Sequence, residues 1–413
     1  MTAAPAWAVF AVGAAIALPF YVFGLAALDQ SYIFDAAGRL CSGQALPGQV
    51  SFPFGHVPIF IQAALFKVFG ISWHVYGAHA ALANGCWVLL CHSLLFGGRA
   101  RQAMHWAWPL AGASVLLCAS LSLYCLLATP FGESHSALFV GAALWAAVRG
   151  GTLKQPVQGL LIGAFLALAL LSKQSPAIFL MPFVGLAALL SFKTHWRLTA
   201  FAALGFVLPF LLLHVYMAAG QGSHMALGYW QGMLSQARGT GKSRLATPYF
   251  WGKIDISLAT PRWDLRLYPL LAVAGLAAAW QQKQLVLWRL QLVAAACVSA
   301  CVSAFVLAFV LAFACANASF QYFLPLTYLG LISMLGCLAT WRQADSWLAV
   351  GFCVLALAMA RDAITLLKQS VYRIATNIYF DPVHDFAHYN PTVGLFWQQK
   401  TDDRANYFGL LSQ

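Results

Sequence analysis

Two carboxylates stand where apolar runs meet polar loops. Asp29 lies just past the first run, in "LDQSYIFDAAGRL", and Glu133, the only glutamate of the chain, lies in "ATPFGESHSALF". A carboxylate held beside a substrate hydroxyl can take its proton as the oxygen attacks. Cations are placed in a comparable way. Lys173 sits in the tight "LLSKQSPAIF", and Arg238, Lys242 and Arg244 sit in the glycine-containing "SQARGTGKSR". Lysine and arginine at such points bind phosphate or another anion. His56, in "FGHVPIF", could ligate a metal, orient a carboxylate or touch phosphate.

Each residue also has a plainer reading. Asp29 suits a helix N-cap, Glu133 suits the positive end of a helix dipole, and Lys173 suits an interface lysine reaching to water. "SQARGTGKSR" has the flexibility of an anion-binding loop but lacks the P-loop spacing. Asp381, His384, Asp385 and His388, in "DPVHDFAH", have the composition of a metal site but read as a solvated or structural turn.

The elements that must carry these groups are set by composition. The 413 residues are 62% hydrophobic and 8% charged, where a soluble domain has about 25% charge. With a mean hydropathy of +0.75 and recurrent long apolar runs, the chain reads as an all-α polytopic membrane protein. The short alternating segments of a transmembrane barrel are missing from the pattern. Nine of the ten cysteines fall within or at the ends of apolar runs, with Cys41 the exception, so they read as helix-packing residues rather than a disulfide framework. The first run, Trp7 to Leu28, has no basic residue before it and reads as a retained span rather than a cleaved signal.

Apolar runs bounded by charges give eleven spans, at 7–28, 74–97, 104–126, 133–149, 156–172, 176–192, 198–219, 267–282, 290–314, 321–341 and 346–361. With the N-terminus in the cytoplasm, the inner loops are short and basic: Arg99 and Arg101, Arg149 and Lys154, Lys193 and Arg197, Lys283 and Arg289, and Arg342. Ten of the eleven acids then fall on the outer face, together with the basic loop of 220–266 and a short tail, 362–413. Carboxylates and a cationic loop on one face suggest an anionic substrate. A nucleic-acid partner is not expected.

The first outer loop, 29–73, is not a slack linker. Ile33, Ala36, Ala37 and Leu40 share one helical face, with Asp35 and Arg39 paired on the other, so a short amphipathic surface helix is expected over 30–42. After the Pro/Gly-rich break, Val57 to Phe69 reads as a second helix too short to span. Together they form an ordered lid.

These motifs, in this order, resemble the GT-C glycosyltransferases, in particular the branch with the protein O-mannosyltransferases and the lipid A aminoarabinose transferase. Asp29-Gln30 is similar to that family's acidic pair, with Gln30 replacing the second acid. "FGHVPIF" resembles its His/Lys-Pro-Pro-Leu turn, "PFGESHSALFVGAALWAA" its acid-opened fourth span, "LALLSKQSPAIFLMP" its lysine turn, and "ASFQYFLPLTYLGLI" its late Tyr-Leu-Leu-Pro-Leu segment. The likeness covers about residues 5 to 340; a large soluble outer domain is absent or reduced to 362–413.

The resemblance implies a GT-C-like module over 1–361 that moves a sugar from a polyprenyl-phosphate carrier to a lipid, glycan or protein acceptor at the periplasmic face of a bacterial inner membrane. Asp29 would be the base, and Glu133 would position the acceptor or a divalent metal ion, with His56 as the other candidate ligand. Lys173, Arg238, Lys242, Arg244 and His56 would meet the carrier phosphate. Two alternatives stand beside it: a transporter or flippase of a lipid-linked sugar, and a membrane subunit that has lost activity, which Gln30 keeps open.

Overall fold

The computed structural model describes residues 6–21, 31–45, 55–96, 130, 132–149, 153–173 and 181–232. Asp29, Arg238, Lys242, Arg244, the spans read at 104–126 and from 267 onward, and the tail with Asp381 to His388 lie outside the described residues. The regular elements among those described are all helices: α1 (Ala6–Tyr21), α2 (Ser31–Cys41), α3 (His56–Phe69), α4 (Trp73–Phe96), α5 (Gly132–Arg149), α6 (Gln155–Ser172), α7 (Met181–Gln221) and α8 (223–232). Among the described residues, two stretches are long and apolar enough to cross a membrane: Gln155–Ser172, with mean hydropathy 1.6, and Trp196–Gln221, with 2.2.

Helix directions follow from the residues that meet. Phe10 and Gly13 of α1 oppose Gly85 and Val88 of α4, while Ala17 packs on Ala81, so these two run antiparallel. His79 meets His135 and Ser93 meets Trp145, so α4 and α5 run parallel. The side chain of Gln158 donates to the carbonyls of Ala146 and Ala147 at one end of α5, and Ser136 meets Lys173 at the other, so α6 is antiparallel to α5. Gly159 lies on Leu198 and Ala202, Gly163 on Ala202 and Phe206, and Leu171 shares a core with Leu213 and Met217, so α6 and the later part of α7 run parallel.

One feature differs from expectation. A loop was expected at Lys193–Arg197 between spans 176–192 and 198–219, but the backbone is helical throughout Met181–Gln221. The stretch "SFKTHWRLT" holds charges but no Gly or Pro, so nothing in it forces a helix to stop. Because α7 runs parallel to α6 from Leu198 on, the chain must travel back between Ser172 and Leu198. At about 1.5 Å per residue, the 41-residue helix is also roughly twice as long as a ~30 Å hydrocarbon core.

The lid forms as its pattern requires. Ile33, Ala36 and Ala37 are buried, Leu40 packs beside them, and Arg39 Nε donates to Asp35 Oδ2 at 2.9 Å on the outer side. α3 follows Gly55, at φ 85°, and ends on Gly70, also at φ 85°, whose N–H caps the carbonyl of Phe66. Both positions need the left-handed backbone that glycine reaches without strain. Ile33, Ile59, Phe66, Tyr76, Leu171, Leu213, Met217 and Ala226 form one core, so α2, α3 and α8 close one end of the α4, α6 and α7 assembly.

Candidate functional site

Three of the singled-out side chains, Glu133, Lys173 and His56, lie at that closed end. Glu133 lies in the first turn of α5, and Lys173 is the residue on which α6 ends. The antiparallel packing of these helices brings Lys173 Nζ to 3.0 Å from Glu133 Oε1, with the side chains only 9% and 11% exposed. Lys173 leaves α6 in extended backbone, φ −160° and ψ 124°. Its N–H returns to the carbonyl of Ala169, and its own carbonyl accepts the Ser136 hydroxyl at 3.2 Å. The snorkelling reading of Lys173 therefore fails: the ammonium is buried against a carboxylate rather than extended to water. An ion pair taken out of water is stabilising only when its geometry is good, and losing one partner strands a buried charge.

Beside the pair runs a buried chain of hydrogen-bonded side chains. His79 Nδ1 is 2.9 Å from Gln62 Oε1, and His79 Nε2 is 2.9 Å from His135 Nε2. With the Gln62 carbonyl as acceptor, His79 carries its proton on Nδ1. Its Nε2 must then accept from the Nε2–H of His135. One line of hydrogen bonds thus joins the lid helix α3 to α4 and to α5, two residues from Glu133. The rings also meet edge to face, with centroids 4.8 Å apart.

His56, the first residue of α3, forms a second connection. Its Nε2 and the Tyr229 hydroxyl of α8 share a hydrogen bond, and the rings meet edge to face. Burial holds the His56 imidazole down to about 4, against a backbone hydrogen bond at Leu171 that works the other way. Burial also pushes the Tyr229 phenol up. Both groups are therefore neutral near pH 7. His56 is thus a neutral latch between α3 and α8, within the cap that closes the bundle end.

Of the residues expected to act together, Glu133 and Lys173 meet directly, and His56 lies at the same closed end. Among the described residues no three His, Cys, Asp or Glu side chains gather as a metal site requires. Glu133 is engaged by Lys173 and His56 by Tyr229, so the pair expected to hold a divalent ion does not fit one here. Gln62, His79, Ser136 and Tyr229 were not anticipated. For His79 a signal was present: an imidazole within an apolar run is costly unless partnered.

The far end of the bundle has a different character. Arg149, Lys154 and Arg197 lie there, with no acid among the described residues of that end. Arg197 sits over the Trp196 ring at 5.5 Å. Compared with known proteins, the chain matches no family model and no curated protein sequence.

Proposed function

We propose that the chain is an inverting membrane glycosyltransferase of the GT-C kind, moving a sugar from a polyprenyl-phosphate carrier to a lipid, glycan or protein acceptor. The observation that carries it is the buried Glu133–Lys173 pair at a lidded bundle end. Transfer needs a carboxylate to receive the acceptor proton and a cation where charge develops on the leaving phosphate. The pair places a cation and a second carboxylate within 3.0 Å of each other at that end. In this proposal Asp29 is the base, Glu133 orients the acceptor hydroxyl, and Lys173, with Arg238, Lys242 and Arg244, meets the phosphate. Lys173 provides the positive charge there, and no step is routed through a divalent ion.

The proposal includes the finer topology: eleven spans in a bacterial inner membrane, N-terminus cytoplasmic, lidded end and C-terminus periplasmic. Support comes from the segregation of charge among the described residues, with Arg149, Lys154 and Arg197 at one end and the paired acids Asp35 and Glu133 at the other. The buried His79–His135 pair favours one second reading, a transporter of a lipid-linked sugar, because such pairs serve proton relays between helices.

The test supplies purified protein with a panel of polyprenyl-phosphate sugars and measures released carrier phosphate. Wild type is expected to release it with one donor, and Asp29→Asn to lose roughly 100-fold or more in rate. Equal turnover by both would remove Asp29 as base. No release from any donor, with lipid movement in vesicles, would favour the transporter.

A further inference from the structure

We infer that the elbow between α3 and α4, Lys67 to Ile71, is seated in the lipid leaflet on the lidded side of the bundle. Val68, Phe69 and Ile71 are 72%, 68% and 51% exposed. Large apolar side chains scattered singly on a surface need no explanation, but a contiguous group marks a contact. Here they fill three successive non-glycine positions of one turn. The turn is built rather than slack. The N–H of Gly70, at φ 85°, donates to the Phe66 carbonyl at 2.8 Å, and the Ser72 hydroxyl accepts the N–H of Val75 at 3.3 Å, where α4 begins.

The packing shows why this turn, and not α2, meets lipid. The apolar face of α2 is used up inside the protein: Ile33, Ala36 and Ala37 are buried in the core, and the Asp35–Arg39 pair faces outward. α3 crosses the closed end beneath it. His56 meets Tyr229 of α8, the Phe60 ring lies 5.3 Å from that of Tyr216 of α7, and Gln62 meets His79 of α4. The elbow is where this crossing helix reaches the edge of the bundle and turns into α4. Charge fits a phospholipid surface. Lys67 is exposed in the last turn of α3, and no Asp or Glu occurs from His56 to Phe96. Its stem lets the ammonium rise to lipid phosphates while the apolar neighbours point into the acyl boundary. Trp73 follows two residues after Ile71, resting on Tyr76 and Phe34. A short apolar group flanked by Lys and Trp is the composition of a segment that dips about 5–10 Å into the headgroup region. Seated there, the elbow sets the level of the lid, and with it the closed end, against the leaflet.

The test uses the full chain with p-benzoylphenylalanine in place of Phe69. The protein is reconstituted in phosphatidylcholine–phosphatidylglycerol vesicles and irradiated, and adducts are resolved by mass spectrometry. Phe69 is exposed, so its replacement leaves the core intact. An adduct of one lipid mass is expected, to the extent seen with the same probe at Leu211, an exposed position of the apolar stretch Trp196–Gln221. The adduct is expected to be lost when the probe stands at Asp35, on the outer side of α2. A probe at Ile71 repeats the measurement from the other side of Gly70. A crosslink to a second copy assigns the elbow to a dimer, and a crosslink within the chain assigns it to another segment of the protein; either overturns the inference. Loss of the lipid adduct at both 69 and 71, with Leu211 retaining it, overturns it equally. The crosslink needs no turnover, so the elbow stands or falls apart from the glycosyl-transfer reading.

Discussion

The α6–α7 contact and the α5–α6 end are built from the same helix but by opposite means. Along α6–α7, glycines let backbones touch. A Cβ placed on Gly163 would collide with the backbone of Ala202 and Phe206, and one on Gly159 or Gly205 would meet the Leu198 or Leu160 carbonyl. At the α5–α6 end, backbone approach gives way to polar side chains: Glu133 on Lys173 and Ser136 on the Lys173 carbonyl, with His79 of α4 on His135 beside them. In a lipid-like surrounding, burial of apolar surface does little to join helices, and close small-residue packing and polar pairs remain as the available forces. Small-residue packing serves any bundle. A buried carboxylate–ammonium pair costs desolvation that packing does not demand, so its presence points to use.

Breaking the glycine contact should have the largest effect. Gly163→Leu is expected to destabilise by about 3 kcal/mol or more, since the collision is with backbone and not with a movable side chain. Thermal melting in detergent would show it, and a wild-type melting curve would mean the helices do not touch there. Next comes the polar end. Lys173→Met strands Glu133 and should cost about 3 kcal/mol, while the Glu133→Gln/Lys173→Met double variant should lose less than the sum. Additive losses in a double-mutant cycle would reduce the pair to two independent residues.

The third test sharpens the comparison through pH. His56 titrates near 6.5 when unfolded and about 4 when folded, so between those values the unfolded chain binds more protons. Stability should be complete above pH 6.5 and fall as the pH drops toward 4, by about 3 kcal/mol. His56→Gln should flatten that dependence in melting curves taken across the range. An unaltered slope would show that the lid latch does not govern acid sensitivity.

What could be read before any coordinates depended on how local the cause was. The buried face of α2 was legible because Ile33, Ala36, Ala37 and Leu40 follow a helical period, and the Asp35–Arg39 bond because four residues bring two side chains together. The helical stretch through Lys193–Arg197 was misread because charges were taken as a loop, although propensity there has no breaker. Glu133 and Lys173 could each be singled out by type and position. Their pairing could not, because it is set by the antiparallel packing of α5 on α6 and not by sequence spacing. The His79–His135 bond joins α4 to α5 and depends equally on tertiary register.

The glycine contact has a bearing on which partner moves. α6 is locked against α7 by carbonyls wedged where side chains would otherwise stand, so it is the fixed post of the assembly. α5 rests on that post more loosely, through Gln158 and through Phe139 stacked on Phe165 at 6.4 Å. Of the two neighbours of α6, α5 is thus the one held by side chains, and the Glu133–Lys173 pair spans that looser contact.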